Sequence, residues 1–192
     1  MSKLFFFDID GTLIDCNKGL YGISTINRNS FDQLKQKGHD VFLATGRCKC
    51  FITEGVMDYP FSGYVTCNGG YVEYKGDAIY KAVVPAKAIE ETIKLSKEHH
   101  FSFYFESSDY IYVLDKNDPQ HKEFARVWGM KDETIIDDFD PQEIETYIGM
   151  IVVNSKEDIP LLVETLSPYF SPNSLIALFN NSSSTVCPTL YV

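Results

Sequence analysis

The chain has 192 residues, a length that allows one large or two small domains. Its net charge is −10 and its pI is near 4.8. The acidic balance excludes a nucleic-acid binder, because such proteins need a basic face to neutralise phosphates. No apolar run is long enough to span a membrane, and the short apolar start of the chain does not suffice for a signal peptide. We therefore expect a cytoplasmic protein without nucleic-acid or membrane partners.

The first predicted element is an apolar strand, Phe5-Phe6-Phe7, which we expect to be buried on both faces of a parallel sheet. Asp8 and Asp10 follow it, and their i, i+2 spacing points both carboxylates to one side. Gly11 allows the backbone to turn sharply and to approach a ligand. The pattern favours a divalent metal and a carboxylate nucleophile, as in enzymes that form an aspartyl-phosphate. An ordinary Asp-Gly turn is the alternative.

The next predicted elements are a flap over residues 14–22, a helix over residues 24–38 and an apolar strand over residues 41–44. Ligands of open α/β sheets lie beyond the carboxyl ends of the strands, where Thr45, Gly46 and Arg47 follow. The Thr45 hydroxyl can hydrogen-bond a phosphate oxygen, and Gly46 allows close backbone approach. We expect the residues after them to open a helix whose N-terminus favours an anion. Arg47 either contacts substrate or forms an ordinary surface or helix-cap ion pair.

A third strand is predicted over residues 63–67, followed by an Asn-Gly-Gly turn and a hairpin over residues 71–84. Pro85 marks a change in organisation. The later predicted elements are a helix over 86–100, strands over 101–106 and 109–114, helices starting at Asp118 and Asp140, a strand over 147–153, a helix ending at Leu166 and a closing hairpin over 175–192. This order is typical of an α+β module with one antiparallel sheet and helices on one face. The sequence therefore predicts an α/β chain with domains over residues 1–82 and 83–192.

The cysteines and histidines give no sign of a metal site. The five cysteines show no disulfide framework, and Cys48-Lys49-Cys50 is weak as a zinc motif, so reduced thiols are expected. The four histidines lie near predicted helix ends without an acid or cysteine at ligand spacing, so we expect solvated or capping roles for them, His121 included.

Three motifs resemble one known family. Asp8-Ile9-Asp10-Gly11-Thr12-Leu13 resembles the first motif of the haloacid dehalogenase (HAD) superfamily of phosphohydrolases. Leu43-Ala44-Thr45-Gly46-Arg47 resembles the second motif as it reads in the Cof-type sugar-phosphate phosphatases, and Cys67-Asn68-Gly69-Gly70 resembles the end of their third core strand. The resemblance implies a Rossmann-like HAD core with a parallel sheet, here only in part, followed by an α+β cap of the C2 type.

The resemblance also implies the chemistry of the two aspartates. Asp8 would be the nucleophile, and Asp10 would be the general acid and base. Mg²⁺ would be bound by the Asp8 carboxylate and the Asp10 backbone carbonyl. The implied activity is Mg²⁺-dependent hydrolysis of a small phosphorylated metabolite, a sugar phosphate above all, through an aspartyl-phosphate. A phosphomutase or another phosphotransferase of the superfamily is a related alternative, and a non-catalytic remnant that binds a ligand or partner is another.

The remaining motif residues would bind the phosphate and the substrate. The resemblance assigns the phosphate to Gly11, Thr45 and Gly46. Arg47 would contact the substrate, and Asn68 would contact the substrate or act at the hinge to the cap.

The same resemblance predicts a lysine and a Gly-Asp-x-x-Asn-Asp run after the cap, and neither is present before Val192. Mg²⁺ prefers an octahedral set of oxygen ligands, and Asp8 and Asp10 would supply only two of them. Phosphoryl transfer also depends on positive charge near the phosphate, which the missing lysine would supply. We therefore expect a C-terminally incomplete chain that binds Mg²⁺ weakly and has little phosphatase activity alone. We also expect the first strand to have one unpaired edge.

Overall fold

The computed structural model describes residues 1–15, 18–128, 131–153, 157–170, 175–179 and 189–191. The chain divides into two units, Met1–Lys81 and Ala82–Val192. Both units combine a sheet with helices, and parallel strand pairs occur in each, so the predicted α/β class is confirmed.

The first unit is a five-stranded sheet in the order β1-β2-β3-β4-β5. Its strands are β1 (Leu4–Phe7), β2 (Asp40–Ala44), β3 (Gly63–Thr66), β4 (Tyr71–Tyr74) and β5 (Asp77–Lys81). The first three strands pair in parallel, and β4 and β5 form an antiparallel hairpin against β3. Because β1, β2 and β3 are parallel neighbours, their carboxyl ends lie along one edge of the sheet.

Two helices connect the parallel strands, α1 (Thr25–Gln36) and the single turn α2 (Glu54–Met57). Ser24 caps α1 by accepting a hydrogen bond from the Asn27 amide at 3.2 Å. Helix α1 packs the buried Phe31 into a core that also contains Ile9 and Leu43. The helix over residues 24–38 is therefore confirmed within a residue or two.

Strand β1 differs from the prediction, because it is not buried on both faces. Leu4 is 55% and Phe6 52% exposed, while Phe5 and Phe7 are half-buried. Among the described residues β1 is the edge of its sheet and pairs only with β2, which confirms the expected unpaired edge. The Phe6 ring contacts that of Phe42, at 4.9 Å between centroids, and is otherwise largely exposed.

The second unit is a six-stranded sheet in the order β11-β10-β9-β6-β7-β8. Its elements are α3 (Ala86–His99), β6 (Ser102–Glu106), β7 (Ile111–Tyr112), α4 (Pro119–Trp128), β8 (Ile135–Ile136), β9 (Ile148–Val153), α5 (Asp158–Leu166), β10 (Leu175–Phe179) and β11 (Thr189–Tyr191). The predicted antiparallel sheet is wrong in part, because β9 and β10 are parallel, as are β7 and β8. The turn predicted near residue 181 lies outside the described residues.

Helices cover both faces of this sheet rather than one. Phe105 of β6 lies in a core with Ile89 of α3 and Leu162 of α5. Its neighbour Tyr104 points to the opposite face, because side chains alternate along a strand. There its ring contacts His121 of α4, with 5.2 Å between centroids. The predicted single helical layer is therefore wrong, and His121 is buried rather than solvated.

The helix predicted at Asp140 is a turn. The Asp140 carboxylate accepts a hydrogen bond from the Gln142 amide at 2.9 Å, and its carbonyl accepts one from the Glu143 amide at 2.9 Å. The aspartate side chain thus stabilises an Asx turn instead of starting a helix.

None of the helices in the described part of the chain has the length and apolar character that a membrane span needs.

Candidate active site

Asp8 and Asp10 leave the carboxyl end of β1 on either side of the buried Ile9. The Ile9 carbonyl accepts hydrogen bonds from the amides of Thr12, Leu13 and Ile14 at 2.9–3.2 Å. Gly11 at the tip of this loop has φ +75°, a conformation that a side chain would strain. The core anchors Ile9 and the tight loop, and both carboxylates are therefore presented to solvent.

The Asp8 carboxylate is exposed and is contacted by one side chain from the same loop. The Thr12 hydroxyl donates a long hydrogen bond to Asp8 Oδ2 at 3.4 Å. A carboxylate with free lone pairs at the end of a strand is suited to attack an electrophile or to bind a cation. Sequence reasoning gave Thr12 no role, although it lies within the first motif.

Asp10 is held by Arg47, which comes from the loop after β2. Arg47 Nε and Nη2 donate to the two carboxylate oxygens of Asp10 at 2.8 and 2.6 Å. A third bond, from Nη1 to the Phe51 carbonyl at 3.0 Å, fixes the other side of the guanidinium. The Arg47 side chain is only 11% exposed, whereas that of Asp10 is 50% exposed. This forked geometry therefore determines the orientation of Asp10.

Thr45 and Gly46 form the turn that brings Arg47 to this position. Thr45 is buried, and its hydroxyl oxygen accepts a hydrogen bond from the Arg47 amide at 3.2 Å. Its own amide donates to the Val65 carbonyl of β3 at 2.9 Å. A Cβ added to Gly46 would lie 2.6 Å from Oδ1 of Asn68, so the Asn68 side chain rests directly on the Gly46 backbone.

The helix predicted after Arg47 is replaced by a single turn of 3₁₀ helix, Lys49–Phe51. Its first residue is preceded by Cys48, whose side chain makes no capping hydrogen bond. One 3₁₀ turn has few aligned peptide dipoles, so the anion site expected from a helix N-terminus is not formed here.

Asn68 lies in a strained loop after β3. Cys67, Asn68 and Gly69 have φ angles of +54°, +52° and +88°, a left-handed run that non-glycine residues rarely adopt. The Cys67 amide donates to the Arg47 carbonyl at 3.0 Å, which joins this loop to the one after β2. Asparagine tolerates the left-handed region better than most residues, so this position suits Asn68.

Lys49, the next cationic residue after Arg47, is also paired with a carboxylate. Its Nζ lies 2.7 Å from Glu73 Oε2 and 4.8 Å from the centre of the Tyr64 ring. Burial raises the pKa of the Tyr64 hydroxyl, and the Lys49 charge acts in the opposite direction. The sequence gave no signal for this cluster, because the three residues come from separate elements.

The predicted site residues therefore lie at the carboxyl ends of three adjacent parallel strands. Asp8, Asp10 and Gly11 follow β1, the Thr45-Gly46-Arg47 turn follows β2, and Asn68 follows β3. Within the described ranges, no group of three or more histidine, cysteine, aspartate or glutamate side chains could hold a metal. The Asp8 carboxylate and the Asp10 carbonyl are hard oxygen donors of the kind that Mg²⁺ prefers, but they are only part of an octahedral set.

Comparisons with known proteins identify the family of the chain. A family model described as haloacid dehalogenase-like hydrolase matches residues 5–187. A protein of Bacillus subtilis (strain 168) named "Putative phosphatase YkrA" is 32% identical over 108 residues, which make up 56% of this chain and 41% of that protein.

Solved structures share the fold. A hypothetical protein from Geobacillus kaustophilus HTA426 superposes with a TM-score of 0.73 at 20% identity, covering 85% of this chain and 62% of that one. The HAD subclass IIB sugar phosphatase BT4131 superposes with a TM-score of 0.67 at 22% identity, covering 87% of this chain and 64% of that one. The chain thus spans less than two thirds of each of these relatives.

Proposed function

Because the chain belongs to the haloacid dehalogenase-like hydrolases, the family that its motifs predicted, we propose that it carries the nucleophile of a phosphatase for small phosphorylated metabolites. The observation that supports this most directly is the exposed Asp8 carboxylate, two residues from an Asp10 that Arg47 holds in a fixed orientation. A sugar phosphate is the proposed substrate class, because the structurally similar protein BT4131 is a sugar phosphatase.

The proposed reaction has two displacements at phosphorus. An Asp8 oxygen attacks the phosphorus of the bound monoester, the bond to the leaving-group oxygen breaks, and Asp10 gives that oxygen a proton. Water then attacks the phosphorus of phospho-Asp8 and passes a proton to Asp10, and the acyl-phosphate bond breaks to release phosphate and regenerate Asp8. Asp10 therefore has to face both the leaving group and the water, which is why its orientation matters.

The loops after β2 and β3 supply the surroundings for the phosphate. In this proposal the Thr45 hydroxyl and the backbone at Gly11 and Gly46 contact the phosphate oxygens. Asn68, resting on Gly46, approaches the substrate from the third strand. Arg47 contacts Asp10 instead of standing free, so we propose that it acts on substrate through Asp10.

Mg²⁺ would be held by the Asp8 carboxylate and the Asp10 carbonyl, where it supplies positive charge next to the phosphate. Water completes the coordination of Mg²⁺ in many protein sites, but two protein oxygens give weak binding. Arg47 and Lys49 do not replace the metal charge, because each is paired with a carboxylate. We therefore propose that residues 1–192 alone bind Mg²⁺ weakly and turn over slowly.

The test is to trap the phosphoenzyme. The protein is incubated with saturating Mg²⁺ and a sugar phosphate, quenched in acid and measured by intact mass spectrometry. We expect one added phosphoryl group in the wild type and none in Asp8→Asn. Asp77→Asn, which changes an exposed carboxylate on β5, is the matched control and should retain the adduct.

The possible outcomes separate the alternatives. An adduct in Asp8→Asn would refute Asp8 as the nucleophile. An adduct in the wild type whose phosphoryl group passes to an added sugar rather than to water would indicate a phosphotransferase. A protein that forms no adduct and releases no phosphate with any sugar phosphate would refute the phosphatase and favour a binding module.

A further inference from the structure

Thr53 occupies the position of a helix cap but does not act as one. It precedes α2 with the extended backbone of an N-cap, a position at which threonine is one of the preferred residues. Its side chain makes no capping hydrogen bond. Instead, the Thr53 hydroxyl donates to the Tyr21 carbonyl at 2.8 Å. A helix without its cap is less stable, so the bond to Tyr21 indicates a role for Thr53 outside α2.

Tyr21 belongs to the flap, which begins on the loop that carries Asp10. The structure describes the flap residues 14, 15 and 18–22. The Gly11 amide donates to the Ile14 carbonyl at 2.9 Å. Ile14 also forms a β-bridge with Asp10, and its side chain is buried. The first part of the flap is therefore fixed to the backbone of Asp10.

The two arms of the flap are joined by a pair of hydrogen bonds. The amides of Asp15 and Leu20 donate to each other's carbonyls, at 3.0 and 2.9 Å. Tyr21 follows Leu20 directly, and its carbonyl is the one that accepts from the Thr53 hydroxyl. The flap is therefore held at its beginning by the loop of Asp10 and at its end by Thr53.

Two glycines allow the end of the flap to approach α2 closely. A Cβ added to Gly55 would lie 2.9 Å from the Cα of Gly22 and 3.1 Å from the carbonyl oxygen of Tyr21. The Ile23 amide donates to the Gly55 carbonyl at 3.0 Å, and the Ile23 side chain is buried. The main chain thus holds the residues after the flap, and Thr53 adds a side-chain bond to the flap itself.

The segment before α2 also holds Arg47. Arg47 donates to the Phe51 carbonyl, two residues before Thr53, and to the Asp10 carboxylate. Asp10 and Thr53 are therefore connected by two routes, one through the flap and one through Arg47. In the proposed reaction Asp10 gives a proton to the leaving group, so the flap that is bonded to the loop of Asp10 borders that side of the site.

We propose that Thr53 is a positioning residue, which holds the flap so that Leu20 and Tyr21 border the leaving group of the substrate. This proposal rests on the proposed phosphatase function, because it concerns which leaving groups the site accepts. Both side chains are 57% exposed, so they are available to cover the carbon skeleton of a sugar. A flap that is already held at both ends loses little conformational freedom when the substrate binds. Leaving groups large enough to reach the flap benefit from this, and small ones do not.

The test compares Thr53→Val, which has nearly the same shape but no hydroxyl, with Thr53→Ser, which keeps the hydroxyl. Thr165→Val is the matched control, because the Thr165 hydroxyl donates to the Leu161 carbonyl within α5 at the same distance, 2.8 Å. We measure kcat/KM at saturating Mg²⁺ with glucose 6-phosphate and with acetyl phosphate, whose leaving group is much smaller.

The two substrates should respond differently. We expect Thr53→Val to lower kcat/KM for glucose 6-phosphate about tenfold, and at least about threefold more than for acetyl phosphate. Thr53→Ser should recover most of the loss, and Thr165→Val should behave like the wild type. Equal losses with both substrates, an equal loss in Thr165→Val, or no recovery in Thr53→Ser would each overturn the proposal.

Hydrogen exchange of the backbone amides follows the flap without any dependence on activity. The amides of Asp15 and Leu20 should exchange at least about fivefold faster in Thr53→Val than in the wild type, and at the normal rate in Thr53→Ser. The amides of β2 should be unchanged, which verifies that the variant is folded. Unchanged exchange at both flap amides would overturn the proposal. Faster exchange in a protein that never forms phospho-Asp8 would refute the phosphatase and support Thr53 as the residue that holds the flap.

Discussion

Replacing Arg47 by methionine should reduce turnover far more than it reduces stability. The substitution keeps the unbranched aliphatic stem of the side chain and removes the hydrogen bonds to the Asp10 carboxylate and to the Phe51 carbonyl. A buried hydrogen bond to a charged group contributes about 1.5–3 kcal/mol to stability. The Asp10 side chain is half exposed, so water replaces much of the hydrogen bonding that it loses with the guanidinium. We therefore expect a loss of about 1–3 kcal/mol in the free energy of unfolding, and no more.

The effect on catalysis has a different origin. Without the guanidinium fork the Asp10 carboxylate rotates freely, and a misplacement of about 1 Å can cost about a hundredfold in rate. We expect kcat to fall by roughly that factor, with KM changed much less, because Arg47 acts through Asp10.

Arg28 offers a matched control in the same unit. It donates to the Asp58 carboxylate at 2.6 Å and to the carbonyls of Gly55 and Ile23 at 2.9 and 3.2 Å, and none of these partners is a predicted site residue. Arg28→Met should destabilise the protein to urea by a similar amount and leave kcat within about twofold. Equal losses of kcat in the two variants would refute the positioning role, as would a normal kcat in Arg47→Met.

Three further predictions concern stability. Gly46→Ala should destabilise by about 1–3 kcal/mol in urea, because its Cβ would lie 2.6 Å from Asn68 Oδ1, and adding Asn68→Ala should recover most of that loss; no recovery would refute the contact. Leu162→Ala should cost about 2–5 kcal/mol, because Leu162 is fully buried between α5 and the sheet, whereas the exposed Leu161→Ala should cost little. The unfolded chain binds the His121 proton more tightly than the folded one, because burial lowers the pKa of His121 from 6.5. Stability should therefore fall as pH drops below about 6.5, and less so in His121→Phe; identical pH profiles would contradict this.

The sequence predicted that the candidate residues lie together at the ends of parallel strands, because this signal is local. An apolar run followed by Asp8 and Asp10, and another followed by Thr45, places polar groups at the ends of neighbouring parallel strands. The bond between Asp10 and Arg47 joins residues 37 positions apart, and nothing in the spacing of either motif predicts it. Such a pair depends on the register of β1 against β2, which only the folded sheet determines.

The wrong predictions have physical reasons of their own. Burial of Phe6 depends on which strands flank β1, and three aromatic residues in a row do not reveal an edge position. Asp140 precedes Pro141, an order that is typical of the start of a helix. An aspartate side chain can also stabilise an Asx turn, and the structure has such a turn at Asp140. His121 was expected to be solvated because it starts a helix. Its burial follows from the packing of α4 on Tyr104, a tertiary contact.

The open edge of β1 also affects how the chain behaves in concentrated solution. Unpaired amide and carbonyl groups beside Leu4 and Phe6 form a surface to which the same strand of another molecule can add. At low ionic strength the net charge of −10 keeps molecules apart, and at about 1 M salt the screening length falls to roughly 3 Å. Purification of residues 1–192 by salt precipitation or hydrophobic chromatography should therefore promote self-association through this edge, whereas dilute low-salt buffer should reduce it.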